Sequence, residues 1–190
     1  VLRGTVYDPV VMSVVPTVED AFGFAEMQVV SFADLYAGKI VAALDRQHPR
    51  DLFDVRDLLA HEGINDELRR AFLVYMISHN RPMAEVLAPT RKPLADEYAR
   101  GFVGMTREPV DLADLEAARE TIITAMVADM PAAHRHFLVG FKRGEPDWEL
   151  LGIPAAQHLP AVMWKQRNLD KIAPNKRREL VDALETALLP

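Results

Sequence analysis

The amino-acid sequence predicts an α+β protein, with a small β-containing N-terminal part followed by a mostly α-helical C-terminal part. Two observations carry this. The stretches that read as strands, Val1–Val11 and Ala25–Val30, both lie before Ser31. From Ser31 onward, apolar residues recur at helical spacing between capping and proline signals.

The elements follow in order. Val1–Val11 reads as extended, with Pro9 limiting its ladder bonds. Thr17–Phe22 follows Pro16 as a short helix that Gly23 breaks. Ala25–Val30 is the second strand. Ser31 to Asp34 has the S-x-x-D form of a helix N-terminus, and that helix runs to Arg46 or Gln47. His48-Pro49 ends it and opens the next helix, Arg50–His61, which Gly63 closes. Asn65 caps a helix over Asp66–Ser78. Short helices at Met83–Leu87 and Leu94–Phe102 flank a loop with Pro89 and Pro93. Asp111 opens a long helix to Asp129. Helices at Ala132–Lys142, Leu159–Ile172 and Asn175–Leu189 complete the chain, with Arg143–Trp148 as a turn.

The 190 residues suffice for one large domain or two small ones, and the Ala88–Pro93 loop is the best boundary, giving 1–88 and 89–190. No apolar run approaches the roughly 20 residues of a membrane span. No signal-peptide pattern occurs, and there is no cysteine. Disulfides and thiolate metal sites are thereby excluded, and a reducing cytoplasm without membrane contact is expected. A net charge of -6 argues against a protein that coats nucleic acid non-specifically. The charge is uneven, however. Val1–Gly63 holds five basic and ten acidic residues, whereas Trp164–Arg178 holds six basic residues and one acidic. Lys165, Arg167, Lys176 and Arg177 in that tail are candidate RNA-phosphate contacts.

The densest chemistry lies in Lys39-Ile40-Val41-Ala42-Ala43-Leu44-Asp45-Arg46 and Arg50-Asp51-Leu52-Phe53-Asp54. Lys39 and Arg46 are seven apart, so a helix places them on one side about two turns apart. Asp51 and Asp54 are three apart and share a face. Cations beside carboxylates suit a nucleoside triphosphate and its metal. Ordinary surface pairing, such as Arg50 with Asp54 at i, i+4, is the plain alternative. His48, between the two helices, could approach such a site. His134 and His136 are two apart on a helix and point to different sides. Trp148 and Trp164 read as packing residues, with Trp164 beside Lys165 and Arg167 as a possible RNA contact. No Walker motif, G-x-G-x-x-G or nucleophile arrangement is present.

Asp34 to Arg46 followed by Arg50 to Val55 resembles the AbiEii/AbiGii toxin nucleotidyltransferases, whose form is K-x-x-A-x-x-x-R, a short spacer, then R-D-x-x-D. Every specified position matches. Phe137–Trp148 with Gly152, and Leu159–Lys165, also look like tails of such proteins. The resemblance implies a DNA polymerase β-like nucleotidyltransferase of a bacterial abortive-infection or toxin–antitoxin system. Such an enzyme moves a nucleoside monophosphate from an NTP to an RNA acceptor, in some cases a tRNA 3′ end, with Mg²⁺. It implies Lys39 as the triphosphate contact and Asp51 as a metal-linked or base-like carboxylate. Arg46, Arg50 and Asp54 would bind or orient substrate, and a cognate antitoxin would be a partner. The family's G-S and D-x-D motifs are missing, and Glu26 and Gln28 are weak substitutes. The chain opens on Val1, so it is expected to be the C-terminal, inactive part of a longer enzyme. Residues 1–88 would then end a nucleotidyltransferase-like domain, and 89–190 would be a helical domain. The alternatives are a non-catalytic helical module binding nucleotide or RNA, and a metal-dependent nuclease using Asp51 and Asp54.

Overall fold

The computed structural model describes residues 3–189. It opens with an antiparallel pair, β1 (Val10–Ser13) and β2 (Glu26–Val29), joined through helix α1 (Pro16–Phe22). Val10 lies opposite Val29 and Ser13 opposite Glu26. Gly23 leaves α1 at φ 90, ψ 169, a conformation open essentially to glycine alone. The first strand begins later than its sequence suggests. Upstream of Pro9, the Val6 and Tyr7 N–H groups donate to the Asp34 carboxylate at 2.8 and 3.0 Å instead of entering a ladder. No α1 residue is buried, and β1 is exposed throughout.

The helical part begins with α2 (Phe32–Arg46), α3 (Pro49–His61) and α4 (Asp66–Ile77). Ser31 Oγ caps α2 by accepting from Asp34 N at 3.0 Å, and Asn65 Oδ1 caps α4 by accepting from Leu68 N at 2.8 Å. Helix α2 packs on α3 and α4. Their facing residues Ile40, Leu44, Leu52, Leu58, Phe72 and Leu73 are fully buried. Helices α5 (Met83–Leu87), α6 (Ala95–Gly101) and α7 (Leu112–Ile123) follow.

The helix expected to run from Asp111 to Asp129 changes character at Thr124. Residues Thr124–Ala128 form a π turn, in which Asp129 N donates to Thr124 O at 2.9 Å. Two arginines from outside the turn hold it. Arg69 Nη1 donates to Ala125 O at 2.7 Å, and Arg135 Nη2 donates to Ala128 O at 2.6 Å. Asp111 sits at the N-cap of α7 but makes no side-chain capping bond.

The chain continues through α8 (Ala132–Arg143), α9 (Trp148–Leu151), a 3₁₀ turn (Pro154–His158), α10 (Pro160–Asp170) and α11 (Pro174–Ala187). Part of the expected 143–148 turn thus leads into a short helix. Its Trp148 packs edge-on against Phe137 and Phe141, with ring centroids 5.2 and 6.2 Å away. One apolar core runs from Ala33 to Leu188, drawing residues from both sides of the Ala88–Pro93 loop. Among the described residues no helix is long and apolar enough to cross a membrane.

Candidate active site

The α2–α3 corner turns on Gln47. This residue ends α2 at φ 53, ψ 39, the one non-glycine residue with positive φ among those described. Its buried side chain, 3% exposed, clamps the following loop. Nε2 donates to Thr90 O at 2.8 Å, and Oε1 accepts from Lys92 N at 3.0 Å and Arg119 Nη1 at 3.4 Å. His48 then opens α3 by accepting from Arg50 N through Nδ1 at 3.2 Å. Lys92 Nζ donates to the Asp45 and Arg46 carbonyls at the end of α2, where that helix leaves acceptors open.

This corner sets the two helices side by side with two charged rungs between them. Lys39 Nζ lies 2.8 Å from Asp54 Oδ1, and Arg46 Nη2 lies 2.7 Å from Asp51 Oδ1. The Lys39 ammonium also stands 5.5 Å above the Tyr36 ring centroid. Asp54 therefore pairs across the helices with Lys39 and not along α3 with Arg50, whose Nε donates to Gly101 O at 3.1 Å. Arg46, Arg50, Asp51, His48, Lys92 and Glu97 line a cleft of about 640 Å³. Lys39 and Asp54, the other rung, are not among the residues that line this cleft.

Asp51 is the distinctive carboxylate. Its side chain is 14% exposed, Oδ1 faces Arg46, and Oδ2 is buried with no hydrogen-bond partner among the described residues. A buried acceptor without a donor is costly. Mg²⁺ is commonly held by one or two carboxylates, with substrate phosphates and waters completing its oxygen shell. Asp51 Oδ2 fits as one such ligand. Among the described residues no group of three or more His, Asp or Glu forms a metal cage.

The family model for the nucleotidyl transferase AbiEii toxin of type IV toxin–antitoxin systems matches residues 1–168. The chain belongs to the AbiEii family. Membership makes it a toxin nucleotidyltransferase in class, and the family suggests a nucleotide substrate and an antitoxin partner. No curated protein and no solved structure matches the chain significantly.

Other residues singled out in the sequence are scattered. Glu26 Oε1 accepts from Ser13 Oγ on the exposed hairpin, which also carries Gln28. In the tail, Lys165 Nζ donates to His79 O. Arg177 donates to the Arg143 and Leu169 carbonyls, and Lys176 pairs with Glu179 at 2.7 Å. Arg167 is exposed. His134 is buried and His136 exposed.

Sequence reasoning missed the roles of two residues within the AbiEii-like segment. Asp45, inside the motif, pairs with Arg81 and lies 3.3 Å from His79 Nε2. Burial lowers the His79 pKa, with Asp45 opposing the shift. Asp34, 1% exposed, carries a cap signal in the sequence and also anchors the N-terminal segment, accepting from Val6 N and Tyr7 N. Nearby burial, then the Asp34 charge, pushes the Tyr75 hydroxyl up to about 12. No local sequence signal announces either long-range partner.

Proposed function

We propose that the α2–α3 pair is the nucleotide-handling edge of an AbiEii nucleotidyltransferase that transfers NMP from a Mg²⁺–NTP to an RNA acceptor, with tRNA as the first candidate. The supporting observation is the double rung, which sets Lys39 and Arg46 on one helix against Asp54 and Asp51 on the next. Both rungs reach solvent, so incoming phosphate oxygens can compete for the cations at modest cost. Lys39 acts as a compact point charge on the triphosphate, and Arg46 offers a planar fork. Asp51 Oδ2 is the proposed ligand to the nucleotide's Mg²⁺. Bound there, the ion would neutralise charge developing on the transferred phosphoryl group. Asp54 holds Lys39, and Arg50 shapes the cleft from α3. Arg167 and Lys176, both exposed, are the tail cations proposed to reach RNA phosphates, while Lys165 and Arg177 serve backbone carbonyls.

The test is label transfer. The gene product expressed from its natural start is incubated with each labelled NTP, Mg²⁺ and total bacterial tRNA, beside Lys39→Ala and Asp51→Ala variants. Transfer that disappears in both variants supports the reading. Undiminished transfer in either removes that residue from the chemistry. A second reading, a phosphate- or RNA-binding module without chemistry, draws on the engagement of both Asp51 and Asp54 by cations. NTP or RNA binding without transfer would favour it.

A further inference from the structure

A second cationic site lies between α8, α10 and α11, and shares no lining residue with the α2–α3 cleft. Its pocket measures about 180 Å³ and is lined by Lys142, Lys165, Asn80, Asn168 and Trp164 over an apolar base that includes Leu180. Among the described residues no carboxylate lines it. Lys142 is only 5% exposed, and among the described residues it donates no hydrogen bond and joins no ion pair. Holding a lysine this far from solvent without a partner is expensive, and a second lysine beside it raises the cost. Burial lowers the Lys142 pKa, and the Lys165 charge lowers it further.

We propose that this pocket binds a phosphoryl group, with Lys142 as its least exposed cation, Lys165 donating through the N–H groups its bond to His79 O leaves over, and Asn80 and Asn168 as further donors. Two ammonium groups without a carboxylate match a dianion better than the single charge of a carboxylate ligand. The volume falls below the roughly 300 Å³ at which drug-sized pockets begin, so it admits the phosphoryl end of a ligand and not a whole nucleotide. Trp164, 45% exposed at the rim, offers an aromatic face to whatever the phosphoryl group is attached to. Free phosphate and a nucleotide-borne monophosphate share this chemistry. The pocket reaches Leu169, Ile172 and Leu180, beyond residue 168 where the family match ends.

Calorimetric titration with inorganic phosphate at constant ionic strength tests the proposal, with AMP and adenosine as parallel arms. Saturable phosphate binding should weaken at least tenfold in Lys142→Met and in Lys165→Met, and stay unchanged in Arg107→Gln, at an exposed arginine outside the pocket. Circular dichroism verifies that each variant is folded, and methionine keeps the length of the lysine stem. AMP binding tighter than phosphate, with adenosine silent, would support a nucleotide source. Equal affinities would support the free anion. No saturable binding, or equal affinity in wild type and both lysine variants, would overturn the proposal and leave Lys142 as a lysine that buries its stem and extends its charge outward.

Discussion

Replacing Gln47 by alanine and by glycine should invert the usual helix ranking of these two residues. In a helix interior, glycine is less stable than alanine by about 1 kcal/mol. At Gln47 the backbone is left-handed, which costs a residue with a Cβ roughly 1–2 kcal/mol and glycine almost nothing. Both variants remove the bonds to Thr90 O and Lys92 N, each worth about 1 kcal/mol, together with the longer bond from Arg119. The loop groups left behind are partly buried, so Gln47→Ala should cost about 2–4 kcal/mol and Gln47→Gly about 1 kcal/mol less. Urea unfolding reads this as two midpoint shifts at an unchanged m-value. An alanine variant as stable as the glycine variant, or both within about 0.5 kcal/mol of wild type, would refute the assignment of Gln47 as a strained clamp.

His134 should make folding sensitive to mild acid. Burial, then Arg69 and Arg70, hold its folded pKa below the ordinary value of 6.5, with Asp66 opposing, so the unfolded chain binds its proton more readily. Its contribution is complete above about pH 6.5 and is lost as pH falls from there through the folded pKa. His79 shifts in the same direction, so unfolding free energies at about pH 7.5 and about pH 5.5 should differ in wild type and differ less in His134→Leu. In the tail, removing Arg167 and Lys176 should weaken RNA binding and reduce its logarithmic salt slope by about 0.7 for each phosphate no longer neutralised. An unchanged slope would take these two residues out of RNA recognition.

What the sequence made legible was local. Ser31, Asn65 and the His48-Pro49 break mark helix ends that the structure places within a residue or two, because capping is decided by neighbours along the chain. The same periodicity put Lys39 and Arg46 on one side of α2 and Asp51 with Asp54 on α3. Partner choice was not legible. The i, i+4 option joined Asp54 to Arg50, whereas the corner at Gln47 brings Lys39 to Asp54 instead. The π turn depends on Arg69, far from it in sequence, and on Arg135, which follows it. The strand expected across Val1–Val11 gives way, within the described part, to an anchor on Asp34. A positive φ at a glutamine and a lysine buried at Lys142 leave no compositional trace.

The central claim is that Lys39 is a phosphate contact held ready by Asp54, and opposite effects of two substitutions test it most directly. ATP affinity is measured by equilibrium dialysis with Mg²⁺ for wild type, Lys39→Ala and Asp54→Asn. The exposed pair contributes only about 0–1 kcal/mol to stability, so both variants should remain folded. The expected result is weaker ATP binding in Lys39→Ala and equal or tighter binding in Asp54→Asn, where the ammonium is released to the phosphates. Unchanged affinity in Lys39→Ala, or an equal loss in both variants, would contradict it and reduce the rung to a structural ion pair.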